Sequence, residues 1–147
     1  MRILVLQHIK IEDPGFIKDL MIKDGAELTT IELDEGEKIP KDLSTFDAMF
    51  CMGGPMDTWM EKDYPWLVDE KKKIKEFVVD LKKPYLGFCL GCQLLGEVIG
   101  GKVGKTNNPE IGMLNINFSE NKKMTHYFQN FQRKLLLYSG ILMKFKG

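Results

Sequence analysis

Short apolar runs alternate with longer amphipathic stretches over most of the chain. A continuous apolar run such as Ile3 to Leu6 is typical of a strand that is buried on both faces. We predict strands at Ile3–Leu6, Glu27–Leu33, Phe46–Met52 and Pro84–Phe88, and helices at Pro14–Gly25, Asp63–Leu81 and Gly91–Ile99. Strands that alternate with helices form a parallel sheet covered on both faces. The sequence therefore predicts an α/β fold with a doubly wound, mostly parallel sheet.

Size and charge narrow the class of protein. The chain has 147 residues, which is the size of one domain, and its 21 basic residues balance 21 acidic ones. A net charge of zero argues against a nucleic-acid or anionic-membrane partner. No apolar run approaches the ~20 residues of a membrane span, and the N-terminal run lacks a signal-peptide cleavage site. With an odd number of cysteines, three, we expect a cytoplasmic protein without a disulfide framework.

Two glycine-rich turns follow predicted strands, at the sheet edge where α/β proteins place their sites. Gly87-Phe88-Cys89-Leu90-Gly91 has the spacing of a nucleophile elbow, in which flanking glycines allow a sharp turn between strand and helix. A thiol at such a helix N-terminus is expected to have a lowered pKa. The N–H of Leu90 would point to a developing oxyanion, and Gly53-Gly54 after the third strand would supply a second donor.

Other roles for the cysteines are open at this point. Cys89 and Cys92 could form a Cys-x-x-C redox pair, since that motif also opens a helix after a strand, or both could be structural thiols. Cys51 lies within an apolar run and is predicted to be a core residue. We expect no metal, because His8 and His126 are far from these cysteines in sequence, and no cofactor.

Several blocks of the sequence resemble the class I glutamine amidotransferase family, especially stand-alone members similar to the glutaminase portion of GMP synthase. The blocks are "ILVLQHIKIEDPG", "MGGPMDTWMEKDYPWL", "PYLGFCLGCQLLGEVIGGKV" and "NPEIGMLNI", which together cover roughly residues 1 to 120. The resemblance implies a flavodoxin-like fold and hydrolysis of the glutamine side-chain amide through a Cys89 thioester, releasing ammonia and glutamate. It further implies oxyanion donors at Gly54 and Leu90, and substrate contacts at Gly53, Gly54 and Gln93. Cys92 is not expected to be catalytic.

The catalytic base is the missing part of this pattern. Family members carry a His and an acidic partner well after the cysteine, whereas His126 is the one histidine downstream of Cys89. We interpret His126 as a surface residue of a helical segment. The stretch from Asn121 to Gly147 is an atypical tail, with no Asp or Glu and six Lys or Arg.

A shifted reading frame would explain this tail. One permitted coding of Tyr138 to Lys144, read two bases later, gives Gln-Trp-His-Ser-Asp-Glu, which is similar to the base-bearing segment of the family. We therefore expect a domain whose C-terminal part is missing through truncation or frameshift. A divergent natural C-terminus is the alternative.

Two functional classes follow. The first is an enzyme that hydrolyses glutamine through Cys89, with little activity because the His and acidic partners are absent. The second is a catalytically inactive remnant or binding module of the same fold. Because an incomplete sheet leaves an open edge, we also expect a homo-oligomer. A synthetase partner for the ammonia is not identified by the sequence.

Overall fold

The structure, a computed structural model, describes residues 1–117 and 134–146. It contains six strands and three α-helices within these ranges. The elements in chain order are β1 (Arg2–Gln7), α1 (Gly15–Lys23), β2 (Glu27–Glu32), β3 (Ala48–Cys51), α2 (Trp66–Lys75), a π-helical turn (Glu76–Asp80), β4 (Tyr85–Gly87), α3 (Leu90–Val98), β5 (Lys102–Asn117) and β6 (Lys134–Lys146). No helix in the described ranges is both long enough and apolar enough to cross a membrane.

The four strands β1 to β4 form a sheet in the order β2-β1-β3-β4, and every neighbouring pair is parallel. This is the beginning of the flavodoxin-type order 2-1-3-4-5. The predicted α/β class and parallel sheet are therefore confirmed, and the predicted strand positions match within two residues at each end. In this order the carboxyl ends of β1, β3 and β4 lie side by side.

Side chains on the central strands are buried on both faces of the sheet. Leu4 and Leu6 enter a large cluster that also contains residues of α2 and α3, whereas Ile3 and Val5 enter a smaller cluster on the other face. All four are fully buried. The alternation along β1 explains why its sequence is apolar throughout.

The second predicted helix ends differently from the expectation. Sequence periodicity extends one apolar face from Ile74 to Leu81, but the last turn is π-helical, with the Leu81 N–H donating to the Glu76 carbonyl at 2.9 Å. The wider turn rotates the residues that follow away from the apolar face. Ile74 and Phe77 are fully buried, whereas Leu81 is exposed, so the buried face ends before the position to which the sequence spacing extends it.

Two other elements also depart from the sequence patterns. In α1 no residue is fully buried, and Phe16 is 73% exposed despite its helical spacing with other apolar residues. Polar and apolar residues alternate over Ile111–Phe118; residues 111–117 fall within the longer strand β5, which pairs with β6, and Phe118 lies outside the described residues. The early residues of β5 include Gly, Asn and Pro, which disfavour strands, so pairing with β6 and not local propensity determines its length.

The chain divides into two compact units, one formed by Met1–Val103 with Phe145–Gly147 and the other by Gly104–Lys144. The first contains the parallel sheet. The prediction of a single domain over 1–147 with an atypical tail over 121–147 is not tested by this division and stays a prediction. His126 and its expected helix lie outside the described residues.

The π-helical turn provides a test of the core assignment, because buried and exposed side chains lie two residues apart. We expect Phe77→Ala to lower the free energy of unfolding by about 3–5 kcal/mol, since it leaves a cavity in the larger cluster. Val79→Ala, at a position that is 42% exposed, should change it by less than about 0.5 kcal/mol. Urea unfolding of both variants measures this difference, and equal losses would contradict the assignment.

Candidate active site

The two glycine-rich turns lie next to each other because β3 and β4 are parallel neighbours, with Cys51 opposite Gly87. Two hydrogen bonds extend this pairing beyond the strands. The Phe88 N–H donates to the Cys51 carbonyl at 2.9 Å, and the Gly91 N–H donates to the Met52 carbonyl at 3.2 Å. The end of β3 therefore holds the start of α3.

Cys89 occupies a strained turn between β4 and α3. Its φ of 47° and ψ of −105° are unusual for a residue with a side chain, and it immediately precedes α3. A Cβ at Gly87 would lie 2.5 Å from the Gly91 carbonyl carbon, and a Cβ at Gly91 would overlap the Cys51 carbonyl oxygen. The two flanking glycines are thus required by close backbone approach, as a nucleophile elbow predicts.

The structure brings together all five residues predicted for the site. A Cβ at Gly53 would lie 3.5 Å from the Cβ of Cys89, and a Cβ at Gly54 would lie 3.2 Å from Leu90 Cδ2. Gln93 is half-buried, and its backbone N–H donates to the Cys89 carbonyl at 3.1 Å. Their proximity is a finding, whereas their roles in catalysis and substrate binding stay predictions.

The expected lowering of the thiol pKa is not found. Partial enclosure of the Cys89 thiol raises its pKa above the ordinary value of 9.0, although the residue as a whole is exposed. The backbone N–H of Leu90 acts in the opposite direction, and the negative charges of Glu12 and Cys92 add to the increase. The hydrogen bond from the Leu90 N–H thus favours the thiolate less than burial and neighbouring charges disfavour it.

The carboxylate of Glu12, in the loop after β1, was not predicted as a site residue. A Cβ at Gly53 would overlap its Oε2 atom, so Glu12 lies against the turn that faces Cys89. Sequence reasoning grouped the turns after β3 and β4, but the order β2-β1-β3-β4 also brings the loop after β1 to this edge. A carboxylate here adds negative charge beside the thiol.

A second unpredicted feature is a buried hydrogen-bond chain beneath the Gly53-Gly54 turn. The Nδ1 atom of His8 lies 2.9 Å from the Gly53 carbonyl oxygen, and its Nε2 atom lies 2.9 Å from Glu70 Oε1. The Cys51 thiol donates to the same Glu70 oxygen at 3.3 Å. His8 and Glu70 are both fully buried.

The sequence carried a signal for this chain of contacts. Leu67, Glu70 and Ile74 share the buried face of α2, so Glu70 is a charged residue within an apolar stripe. His8 is distant from the cysteines along the chain, yet the fold brings one of its ring nitrogens within 4.8 Å of the Cys51 sulfur and of a Glu70 carboxylate oxygen. The hydrogen bonds among the three account for their closeness, so we assign no metal to them. The absence of a metal stays a prediction.

The ring nitrogens of His8 are both engaged and are therefore not available to take a proton from Cys89. Its side chain is fully buried. Burial lowers its pKa, but the hydrogen bond and charge of Glu70 outweigh this and raise it. His8 is the one histidine in the described residues, and His126 lies outside them. No described imidazole is therefore placed as a base.

The chain is similar in sequence to known proteins of one family. The profile of the class I glutamine amidotransferase family matches residues 16–138. The chain is 35% identical over 107 residues to a subunit of the glutamine-hydrolysing GMP synthase of Sulfolobus acidocaldarius, an alignment that covers 70% of this chain and 52% of that protein. It is also 35% identical over 77 residues to gamma-glutamyl peptidase 2 of Arabidopsis thaliana, covering 52% of this chain and 30% of the peptidase.

A solved structure shows the same architecture. The crystal structure of a glutamine amidotransferase from Thermotoga maritima matches 99% of this chain and 62% of its own, with 30% identity and a TM-score of 0.87. The chain therefore spans about half the length of the GMP synthase subunit that it matches, and less than two thirds of this solved structure.

The raised pKa of Cys89 has a direct consequence for its reactivity. A raised pKa reduces the thiolate fraction at any pH below it, so the rate of alkylation by iodoacetamide should rise with pH to a midpoint higher than that of the same thiol in the unfolded chain. The rate is measured by intact mass on the Cys92→Ser variant, in which Cys51 is buried and Cys89 is the exposed thiol. The same variant unfolded in urea is the control; because Cys51 is accessible there, alkylation is followed on the Cys89 peptide, and it should titrate at lower pH. A native midpoint below that of the unfolded chain would contradict the analysis.

Proposed function

The chain belongs to the class I glutamine amidotransferase family, and we propose that Cys89 is the nucleophile of a site for the side-chain amide of glutamine. The observation that carries this proposal is the position of Cys89. It lies in a left-handed turn at the start of α3, beside the Gly53-Gly54 turn. A nucleophile elbow next to backbone donors suits attack on a carbonyl carbon.

In the proposed reaction, the Cys89 sulfur forms a bond to the side-chain carbonyl carbon of glutamine. The carbonyl oxygen becomes an oxyanion, which the N–H groups of Gly54 and Leu90 would stabilise. The C–N bond then breaks and the nitrogen leaves as ammonia after taking up a proton, giving a γ-glutamyl thioester. Water hydrolyses the thioester to glutamate and restores the thiol. Gly53, Gly54 and Gln93 are proposed to contact the glutamine.

The described residues include no evident base to remove the proton from the Cys89 thiol. A cysteine nucleophile ordinarily needs a base to remove its proton, and loss of the base from a subtilisin triad costs about 10⁶ in kcat. His8 is engaged with Gly53 and Glu70, and the pKa of Cys89 is raised. These observations favour a second candidate, in which the chain binds glutamine and forms the adduct but turns over very slowly or not at all.

A glutamine-like electrophile distinguishes the two candidates. We expect 6-diazo-5-oxo-L-norleucine to add one equivalent of label to wild-type protein and to Cys92→Ser, and none to Cys89→Ser, as measured by peptide mass spectrometry. Release of glutamate from glutamine is measured in parallel. Labelling with turnover supports the enzyme, and labelling without turnover supports the inactive binding module.

The control for this experiment is competition. Free glutamine should slow the labelling of Cys89, whereas free asparagine, one methylene shorter, should not. Label that appears on Cys92 instead, or labelling that glutamine does not slow, would contradict both candidates and favour a Cys-x-x-C redox thiol.

We also propose a partner chain and a cellular location for the protein. Relatives named as subunits of GMP synthase support a separate synthetase chain as the acceptor of ammonia. Three free cysteines, one buried and two exposed, support a cytoplasmic location.

Self-association is supported by the edge of the parallel sheet. Among the described strands of this sheet, β4 is the last in the order, and its Leu86 is 43% exposed. An unpaired strand edge with an apolar side chain favours pairing with another chain. We expect light scattering at micromolar concentration to give at least twice the mass of the 16.9 kDa chain. Leu86→Lys should shift the equilibrium towards the monomer, and a wild-type monomer would contradict the proposal.

A further inference from the structure

The buried His8 side chain contacts the peptide group that precedes Gly54. Its Nδ1 atom is 2.9 Å from the Gly53 carbonyl oxygen, and the side chain has no exposed surface. A carbonyl oxygen only accepts hydrogen bonds, so Nδ1 carries a proton and donates it. His8 follows β1 directly, whereas Gly53 follows β3, so this bond joins the ends of two neighbouring strands.

Glu70 determines how the imidazole ring of His8 is oriented. Its Oε1 atom lies 2.9 Å from Nε2, and a proton lies between these two atoms. If the proton is on His8, the ring is an imidazolium; if it is on Glu70, the ring is neutral with its remaining proton on Nδ1. Both states keep the Nδ1–H directed at Gly53. The Cys51 thiol, which also donates to Oε1, holds the carboxylate in place.

The Gly53-Gly54 peptide needs this external support. Two successive glycines leave the peptide plane between them freer to rotate than any other pair of residues. In a trans peptide the C=O and N–H groups point in opposite directions, and the described residues contain no cis peptide. Fixing the Gly53 carbonyl on His8 therefore also fixes the direction of the Gly54 N–H.

Space around Gly54 leaves little freedom for another arrangement. A Cβ at this position would lie 2.9 Å from the Cβ of His8 and 3.2 Å from Leu90 Cδ2. Gly54 thus lies between the histidine that holds its peptide and the residue proposed as the other oxyanion donor. With the carbonyl turned to His8 in the interior, the Gly54 N–H points to the opposite side of the peptide, and no residue that the structure describes accepts a hydrogen bond from it.

We propose that His8 and Glu70 are positioning residues that hold the Gly54 N–H towards the oxyanion formed when Cys89 attacks a carbonyl. Neither residue touches the reacting atoms. The proposal rests on the proposed function for its kinetic consequence, but the orientation of the Gly53-Gly54 peptide can be observed without any turnover.

The kinetic test uses the γ-(4-nitrophenyl) ester of L-glutamate. The Cys89 thiol loses its proton to solvent, its sulfur bonds to the γ-carbon, the C–O bond breaks, and 4-nitrophenolate leaves without needing a proton, so acylation needs the thiolate but no acid for the leaving group. The burst of nitrophenolate, corrected with Cys89→Ser, gives the acylation rate. Iodoacetamide alkylation of Cys89 is measured beside it, because that reaction needs the thiolate but forms no oxyanion.

We expect His8→Leu and Glu70→Leu to lower the acylation rate by about 10²-fold or more, the effect of losing one oxyanion donor. Alkylation by iodoacetamide should change by less than ~3-fold, since it requires no such donor. His8→Asn can still donate to Gly53, and Glu70→Gln can still hold the His8 ring, so both should retain most of the acylation rate. Glu97→Gln, which weakens the ion pair with Lys71 between α2 and α3, is the matched control for loss of a carboxylate.

Each alternative result has a distinct meaning. Equal losses of acylation and alkylation in the Leu variants, or full acylation in His8→Leu, would overturn the proposal. If wild-type protein shows no acylation above Cys89→Ser, the proposed function fails, and the crystal structures of wild type and His8→Asn and His8→Leu decide the inference. We expect the Gly53-Gly54 peptide to rotate in His8→Leu and to keep its orientation in His8→Asn. An unchanged peptide in both variants would overturn the positioning role.

Discussion

The close approach of α3 to the end of β3 is the constraint on which the site depends. No side chain fits at Gly91, because it would overlap the Cys51 carbonyl oxygen. The backbone N–H groups of Phe88 and Gly91 instead donate to the last carbonyls of the β3 segment, and the Tyr85 hydroxyl donates to the Gly91 carbonyl at 2.7 Å. These bonds hold Cys89 in a backbone conformation that costs about 1–3 kcal/mol. The strained backbone conformation persists because the surrounding contacts prevent Cys89 from adopting a more favourable one.

The same enclosure that fixes Cys89 also limits its reactivity. A helix N-terminus stabilises a thiolate by a partial positive charge, and this effect is confined to the first turn. Removal of water from the sulfur opposes it, and the carboxylate of Glu12 contributes negative charge on the same side. The geometry that would present Cys89 as a nucleophile therefore does not by itself activate its thiol. Activation needs a positive charge or a base nearby, and the described residues place neither beside this thiol.

Local patterns in the sequence predicted the parallel sheet and the elbow because each is encoded over a few consecutive residues. The run from Ile3 to Leu6 and the glycines around Cys89 need no knowledge of the rest of the chain. The π-helical turn at Glu76–Asp80 was missed because its extra residue leaves the apolar spacing of Ile74 and Phe77 intact. The contact of His8 with Glu70 joins residues 62 positions apart, so only the strand order reveals it.

Stability alone gives no reason for a buried imidazole and carboxylate at this place in the core. Removing two such groups from water costs several kcal/mol each, and well-packed apolar residues of similar volume are often as stabilising or more so. Among the described residues Glu70 Oε2 has no hydrogen-bond partner, which adds to the cost. An apolar pair would fill the same space but could not bind the Gly53 carbonyl. A requirement to hold the Gly53 carbonyl, and with it the Gly53-Gly54 peptide, explains the buried polar groups here better than packing does.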